Sequence, residues 1–508
     1  VMVPGDVFTI AITRVQEISI GILAATLVHA LVLPRRVSMR VHARVAAVLE
    51  DAERWTRDMR ASASDTVLAT DRSKVATDLL ELHVLSIHLP FDSAHGVAQV
   101  QILRGLHDRM LDVLLLSSAV EDSIARLRSP QAGAMDATGW RDLLQAGLAA
   151  QQTELDLAHA DCRVLQAQLC AARPDWRLHV PARLARHAQG AVLHRDHRLA
   201  LRSALGAFVG ILLSCVLWIV TGWSDGATAV SIIGTACVLF GTIEAPAPHV
   251  MRYLVGSLIG VAVGLLYGLL IFPALSDFVG LIAALAPVLL LCGSFLARPP
   301  FTMAALGVVL TFPLIAGLGA TNTVNIVGAL NNSVALFVGT AMALCSMQLF
   351  QTTDAGRNRA RLEHSIRRDI ARHAAGRGDV TRAWLSRMLD RIGLLAPRLQ
   401  GRTSPAHDLR ALFADVRAAR ASNQLRALDK RLQDPRTQAL QATLIERVAA
   451  HFRIRAHAPR RVDAHLLELL DRMRESAAAS DGADREHLSH LLCGLRRDLL
   501  VPPLTHRY

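Results

Sequence analysis

From Leu199 to Phe350 the chain carries only six charged residues, Arg202, Asp225, Glu244, Arg252, Asp277 and Arg298, while the sequence on both sides is dense in charge. Few folds accommodate such a stretch. Its peptide groups need hydrogen-bond partners that lipid does not supply, so helices, which satisfy their own backbone, are the available solution. Apolar segments at about 201–221, 226–243, 250–272, 278–297, 301–318 and 324–350 fall near or above the roughly 20 residues that cross a bilayer, and each is expected to span as a helix. The breaks between them, "GWSDG", "EAPAPH", "FPALSD", "ARPP" and "GLGATNT", are built of turn residues. A further apolar run from about Val7 to Leu33 is also long enough to span. Composition agrees, since 52% hydrophobic residues with 19% charged and a mean hydropathy of +0.32 mark a membrane protein.

The flanking blocks place apolar residues at three- and four-residue steps, as in "VSMRVHARVAAVLEDAERWTRDMR" and "DLRALFADVRAARASNQLRALDKRLQ", the signature of amphipathic helices. The expected fold is therefore all-α: a polytopic membrane protein with one N-terminal span in 1–34, a cytoplasmic helical domain in 35–198, a six-helix transmembrane block in 199–350 and a second cytoplasmic helical domain in 351–508. Arg35, Arg36, Arg40 and Arg44 follow the first span, Arg195, Arg198 and Arg202 precede the six, and Arg357, Arg359 and Arg361 follow them. The positive-inside rule puts both flanking blocks in the cytoplasm, which an even number of intervening spans requires.

Several function classes lack their signatures. The net charge of +12 raises nucleic-acid binding, but aromatics make up 4% of the chain and no RNA-binding or zinc-finger pattern occurs. A basic cytoplasmic flank explains the charge better. The seven cysteines form no C-x-x-C pair, and "HRDHR" at 194–198 reads as a solvated turn, so neither a metal nor a disulfide framework is expected. There is no "GxxxxGK[ST]" phosphate loop and no nucleophile with a base partner. The chain is expected to be no enzyme, with no catalytic residue and no cofactor.

The stretch "WIVTGWSDGATAVSIIGTACVLFGTIEAPAPHVMRYLVGSLIGVAVGLLYGLLIFP" resembles the fusaric acid resistance family, which includes aromatic carboxylic acid exporters of bacterial inner membranes. Trp223, Asp225, Gly226 and Ala227 match the family's turn motif, with Ser224 where a proline is usual. Members have two halves, each of six spans followed by a cytoplasmic helical domain, so the chain reads as N-terminally truncated, with 1–34 the last span of a first half. The resemblance implies export of small organic acids such as hydroxybenzoates or fusaric acid, driven by the proton gradient. It also implies a periplasmic membrane-fusion protein and an outer-membrane channel as partners. Membrane lipid is the surrounding medium, and a homo-oligomer is compatible with the pattern. The rival is a non-transporting membrane scaffold or sensor whose helical domains recruit a partner.

Within this frame the polar residues of the apolar block are the pathway candidates. Asp225 is either an N-cap that satisfies free backbone N–H groups or a carrier of protons or substrate. Glu244 closes the same helix about 27 Å away, so the two acids cannot be one catalytic pair. Glu244, Arg252 and Arg298 are expected to gather at the cytoplasmic mouth, where an Arg could hold a carboxylate through paired hydrogen bonds. Asn331 and Asn332 put amides in the last span and cannot both face the same way, so at least one should bond a neighbouring helix. Arg14 and Glu17 lie three apart on one face of the first span and could pair. Gly256, Gly260, Gly264 and Gly268 recur every four residues, a smooth stripe for close helix packing.

Overall fold

The computed structural model describes residues 7–32, 37–86, 96–128, 139–171, 197–241, 246–317, 326–351, 355–377, 381–399, 405–428, 434–455, 462–478 and 483–501. Among them all regular structure is helical. The chain runs from α1 (Val7–Leu31) into α2 (Val37–Arg60), α3 (Asp65–Ser86), α4 (Gly96–Arg128) and α5 (Trp140–Cys170). The apolar block follows as α6 (His197–Thr221), α7 (Gly226–Phe240), α8 (Pro246–Leu266), α9 (Phe278–Leu296), α10 (Thr302–Ile315) and α11 (Ile326–Gln351). The last block is α12 (Ala355–Ala374), α13 (Thr381–Leu399), α14 (Pro405–Leu428), α15 (Pro435–Arg455), α16 (Ala464–Ala478) and α17 (Ala483–Leu499). Two compact units emerge, one built on 195–358 and the other on 12–194 with 359–508.

Among the described residues, five helices are long and apolar enough to cross a membrane: Ala11–Leu31, Ala200–Thr221, Ala247–Ala274, Phe278–Leu296 and Ile326–Phe350. Two of the six segments expected to span form shorter helices than the other four. With 15 and 14 residues, α7 and α10 reach only about 22 and 21 Å, short of a hydrocarbon core of about 30 Å. At the end of α10 the chain turns through Gly317, whose φ of 72° lies in the left-handed region that closes helices. The third segment instead lengthens past α8, through a π-helical turn at Tyr267–Ile271 and a 3-10 turn at Phe272–Ala274.

The apolar unit turns the usual arrangement of a water-soluble protein inside out. Val238, Val220 and Leu349 are 81%, 79% and 76% exposed, whereas Ser257, Thr311 and Thr340 are fully buried. Packing within it repeats: α7 lies against α6 and α11, α10 lies against α9 and α8, and α8 meets α11. The contacts are close because the third helix of each trio offers glycine. A Cβ at Gly256 of α8 would fall 1.9 Å from the Ala304 carbonyl oxygen of α10, and one at Gly339 of α11 would fall 2.7 Å from the Ala229 oxygen of α7. Gly260 and Gly264 continue the α8 seam against Thr311 and Ile315, and Gly268 is buried in the π-helical turn.

The charged unit has the opposite chemistry. Val41, Val45, Val48, Leu49, Ala52, Trp55 and Met59 form the buried stripe of α2, at the spacing its sequence displays. From sequence, 35–198 and 351–508 stand as separate domains, yet helices of both contribute to one continuous core. The reason is coverage: α13 and α14 pack on α3 and α4, and α17 packs on α5. Helix α14 sits deepest, with Ala411, Leu412, Phe413, Ala414 and Val416 all fully buried. Its arginines stay charged inside because acids meet them. Arg417 donates to Asp498 at 2.8 Å, to Asp122 and to the Ser118 hydroxyl at 2.5 Å, while Arg410 donates to Asp122.

Candidate functional site

The turn between α6 and α7 gathers the polar side chains of the apolar unit. Helix α6 closes at Gly222, whose φ of 59° suits a residue without Cβ. The backbone then folds tightly, with the Gly226 N–H donating to the Trp223 carbonyl at 3.1 Å and the Thr228 N–H to the Asp225 carbonyl at 3.0 Å. Glycine is needed at 226, since a Cβ there would lie 2.1 Å from the Trp218 ring.

Asp225 occupies the N-cap position of α7, but its side chain makes no capping hydrogen bond. It turns to α11 instead. The Asn331 amide nitrogen donates to Asp225 and also to the Ser224 hydroxyl at 3.2 Å. Ser224 donates in turn to Asp225 Oδ2 at 3.1 Å, and the Trp223 indole N–H donates to Asn331 Oδ1 at 3.1 Å. One amide therefore reads three consecutive residues of the turn. Trp223, Asp225 and Asn331 are each half-buried, so the carboxylate is held on one side and can still meet water on the other. Such a group can exchange a proton or accept a hydrogen bond from an arriving solute while its neighbours keep it aimed.

Asn332 is half-buried and takes no part in this node, as the angular step between successive helix residues dictates. Arg252 on α8 is exposed. Arg298 is exposed as well; its guanidinium lies 5.9 Å from the Phe295 ring centre, and its carbonyl accepts the Phe301 and Thr302 N–H groups that open α10. Glu244 lies outside the described residues, as does the Arg14 side chain, so neither a gathering of Glu244 with the two arginines nor an Arg14–Glu17 pair falls within them. Glu17 itself is exposed on α1. The members of the node that sequence reasoning missed are Ser224 as a donor and the bond between Asn331 and the turn. Only the amides' cost inside an apolar helix pointed toward the second.

A family model described as the fusaric acid resistance protein family matches the chain in two stretches, residues 1–138 and 124–503. The chain belongs to this family. The fusaric acid resistance match thus covers the node, the glycine seam and both flanking helical blocks. An uncharacterized transporter of Gluconobacter oxydans is 27% identical over 271 residues, covering 52% of this chain and 36% of that protein. Two proteins named as p-hydroxybenzoic acid efflux pump subunits are also similar. The one from Musicola paradisiaca is 23% identical over 46% of this chain and 32% of its own length, and the one from Erwinia billingiae 24% identical over 32% and 25%. The matched stretches thus span no more than about a third of the lengths of these curated relatives. No solved structure matches the chain.

Proposed function

We propose that this family member belongs to an inner-membrane efflux transporter that exports small aromatic carboxylic acids, drawing on the proton gradient. Asp225 carries the reading: it is one of very few ionisable groups in an apolar helical unit, fixed by Ser224 of its own turn and by Asn331 of α11, whose amide Trp223 holds in place. A carboxylate so placed is a functional expense in lipid unless it handles protons or solute. The printed name of two relatives, p-hydroxybenzoic acid efflux pump subunit, supports the aromatic acid as cargo.

In this reading 1–34 and 199–350 lie in the membrane, 35–198 and 351–508 lie in the cytoplasm, and the node at Asp225 faces the periplasm. Arginines bordering the apolar segments support that orientation. Arg252 and Arg298, with Glu244, guard the cytoplasmic entrance and recruit the carboxylate. The packing gathers α6, α7 and α11 into one group and α8, α9 and α10 into another, which supports two helix groups that rock against each other. The two separate matches to one family model support a larger duplication as well. A periplasmic membrane-fusion protein and an outer-membrane channel complete the route.

The test loads cells that express the complete reading frame with p-hydroxybenzoate and follows its loss with and without a proton gradient. Gradient-dependent loss is expected, and Asp225→Asn should slow it by about tenfold, equivalent to about 1.4 kcal/mol in the barrier, at unchanged membrane abundance. Loss equal to that of cells lacking the protein would overturn transport in favour of a scaffold or sensor. Full activity in Asp225→Asn would remove this carboxylate from the mechanism.

A further inference from the structure

The charged unit buries a constellation that export does not use. We propose that His83, His107 and Asp390 form a binding site for a divalent transition-metal ion of the zinc class, joining α3, α4 and α13. One donor atom from each lies within 4.8 Å of the other two. His83 Nδ1 stands 3.0 Å from Asp390 Oδ1, and the His83 and His107 ring centres are 4.5 Å apart. All three residues are buried.

His107 makes the case more than a buried ion pair would. Both of its ring nitrogens are buried without a hydrogen-bond partner among the described residues. A neutral imidazole carries one donor and one acceptor, and leaving both unmet in an interior is costly. An ion that takes the acceptor lone pair removes half of that cost. Asp390 supplies the negative charge, and two imidazoles with one carboxylate are an established donor set for zinc, with water completing the tetrahedron.

The geometry is near to closing. Zinc–ligand bonds of about 2.0 to 2.1 Å place the donor atoms of a tetrahedron roughly 3.4 Å apart, so the widest separation must shrink by little more than about 1 Å, within reach of small ring rotations. The cation nearby, Arg382, does not repel an ion at full strength, because it donates to both carboxylate oxygens of Asp112 at 2.8 and 3.1 Å. With His83 and Asp390 307 positions apart in sequence, the ion would clamp the two sequence blocks of this unit together. Because all three donors are buried, the ion's effect is expected on the stability of this unit.

The experiment uses the full chain, purified in detergent without a histidine tag, stripped with a strong chelator and then equilibrated with Zn²⁺. Elemental analysis should find zinc stoichiometric with the chain, and Co²⁺ in its place should show the intense visible absorption of a tetrahedral site. Thermal unfolding should shift upward with Zn²⁺ relative to the chelated protein. His107→Gln and Asp390→Asn should lose both the uptake and the shift. If either variant fails to fold, the chelated and zinc-loaded wild-type proteins still decide the matter. Wild-type protein that takes up no stoichiometric zinc, or folded variants that take up as much as wild type, would overturn the site.

Discussion

The two units of this chain solve the same problem, holding helices together, with opposite materials. In the charged unit large side chains fill the interior and buried charges pair across helices, as Arg417 does with Asp122 and Asp498. In the apolar unit many large side chains lie on the outside, and beside buried Phe240, Phe312 and Ile233 the interior holds glycine, serine and threonine that let backbones approach closely. Bulk drives association where water is the solvent, since burying it gains hydrophobic free energy. Lipid offers no such gain, so close backbone contact and a few hydrogen bonds replace it. An equivalent substitution should therefore have unequal consequences in the two units.

The largest effect is expected from Gly256→Leu. No rotamer can relieve a Cβ placed 1.9 Å from the backbone oxygen of Ala304, so α8 and α10 must separate, and folded protein in detergent, read by size-exclusion chromatography, should be lost. In the charged unit, Arg417→Met leaves Asp122 and Asp498 buried without their shared cation. Denaturant titration should report a loss of about 3 to 5 kcal/mol, the cost of orphaning a buried charge. A smaller loss would mean that Arg410 and Arg497 take over the two acids.

Acid should separate the units next. His373, stacked on Trp384 with ring centres 3.7 Å apart, is pushed down to about 4 by burial, with Arg426 adding to the effect. In the unfolded chain the same imidazole takes up its proton near 6.5, so between these values the unfolded state binds more protons. The contribution of neutral His373 is thus complete above about pH 6.5 and fades as pH falls through about 4. Amide hydrogen exchange should show protection in α12 and α13 declining across that window while α8 and α10 hold theirs. The smallest effect belongs to Gly147→Ala in α5. No atom lies within 4 Å of the added Cβ, and helix propensity predicts a gain of up to about 1 kcal/mol. A loss there would mean that this face of α5 is covered in the assembled protein.

What could be read from the residues was whatever had a local cause. Charge scarcity marked the apolar block, and the glycine at 222 and the acid at 225 bracketed the turn that ends α6 and opens α7. Four-residue glycine spacing declared a smooth helix face, though nothing local could say that α10 lies against it. Helix length was harder to judge, because α7 and α10 stop about a turn before the polar breaks that hydropathy marks. The partner of Asn331 lies 108 residues earlier, at Trp223, and spacing carries no signal over that distance. The same holds for α14, which the sequence marks only as an amphipathic helix. Its arginines are interior because their acids arrive from α4 and α17.

The shared core of the charged unit also fixes an order of events during synthesis. Helices α2–α5 leave the ribosome long before α13 and α14, which must cover them; His83 precedes Asp390 by 307 residues. At roughly 5 to 20 residues per second that gap lasts about 15 to 60 s, far longer than the microseconds in which a chain collapses. During that interval the apolar faces of α3 and α4 are open to wrong partners while the hydrophobic segments between the two blocks are being made. A chaperone that shelters α2–α5 through that interval would thus raise the yield of folded protein.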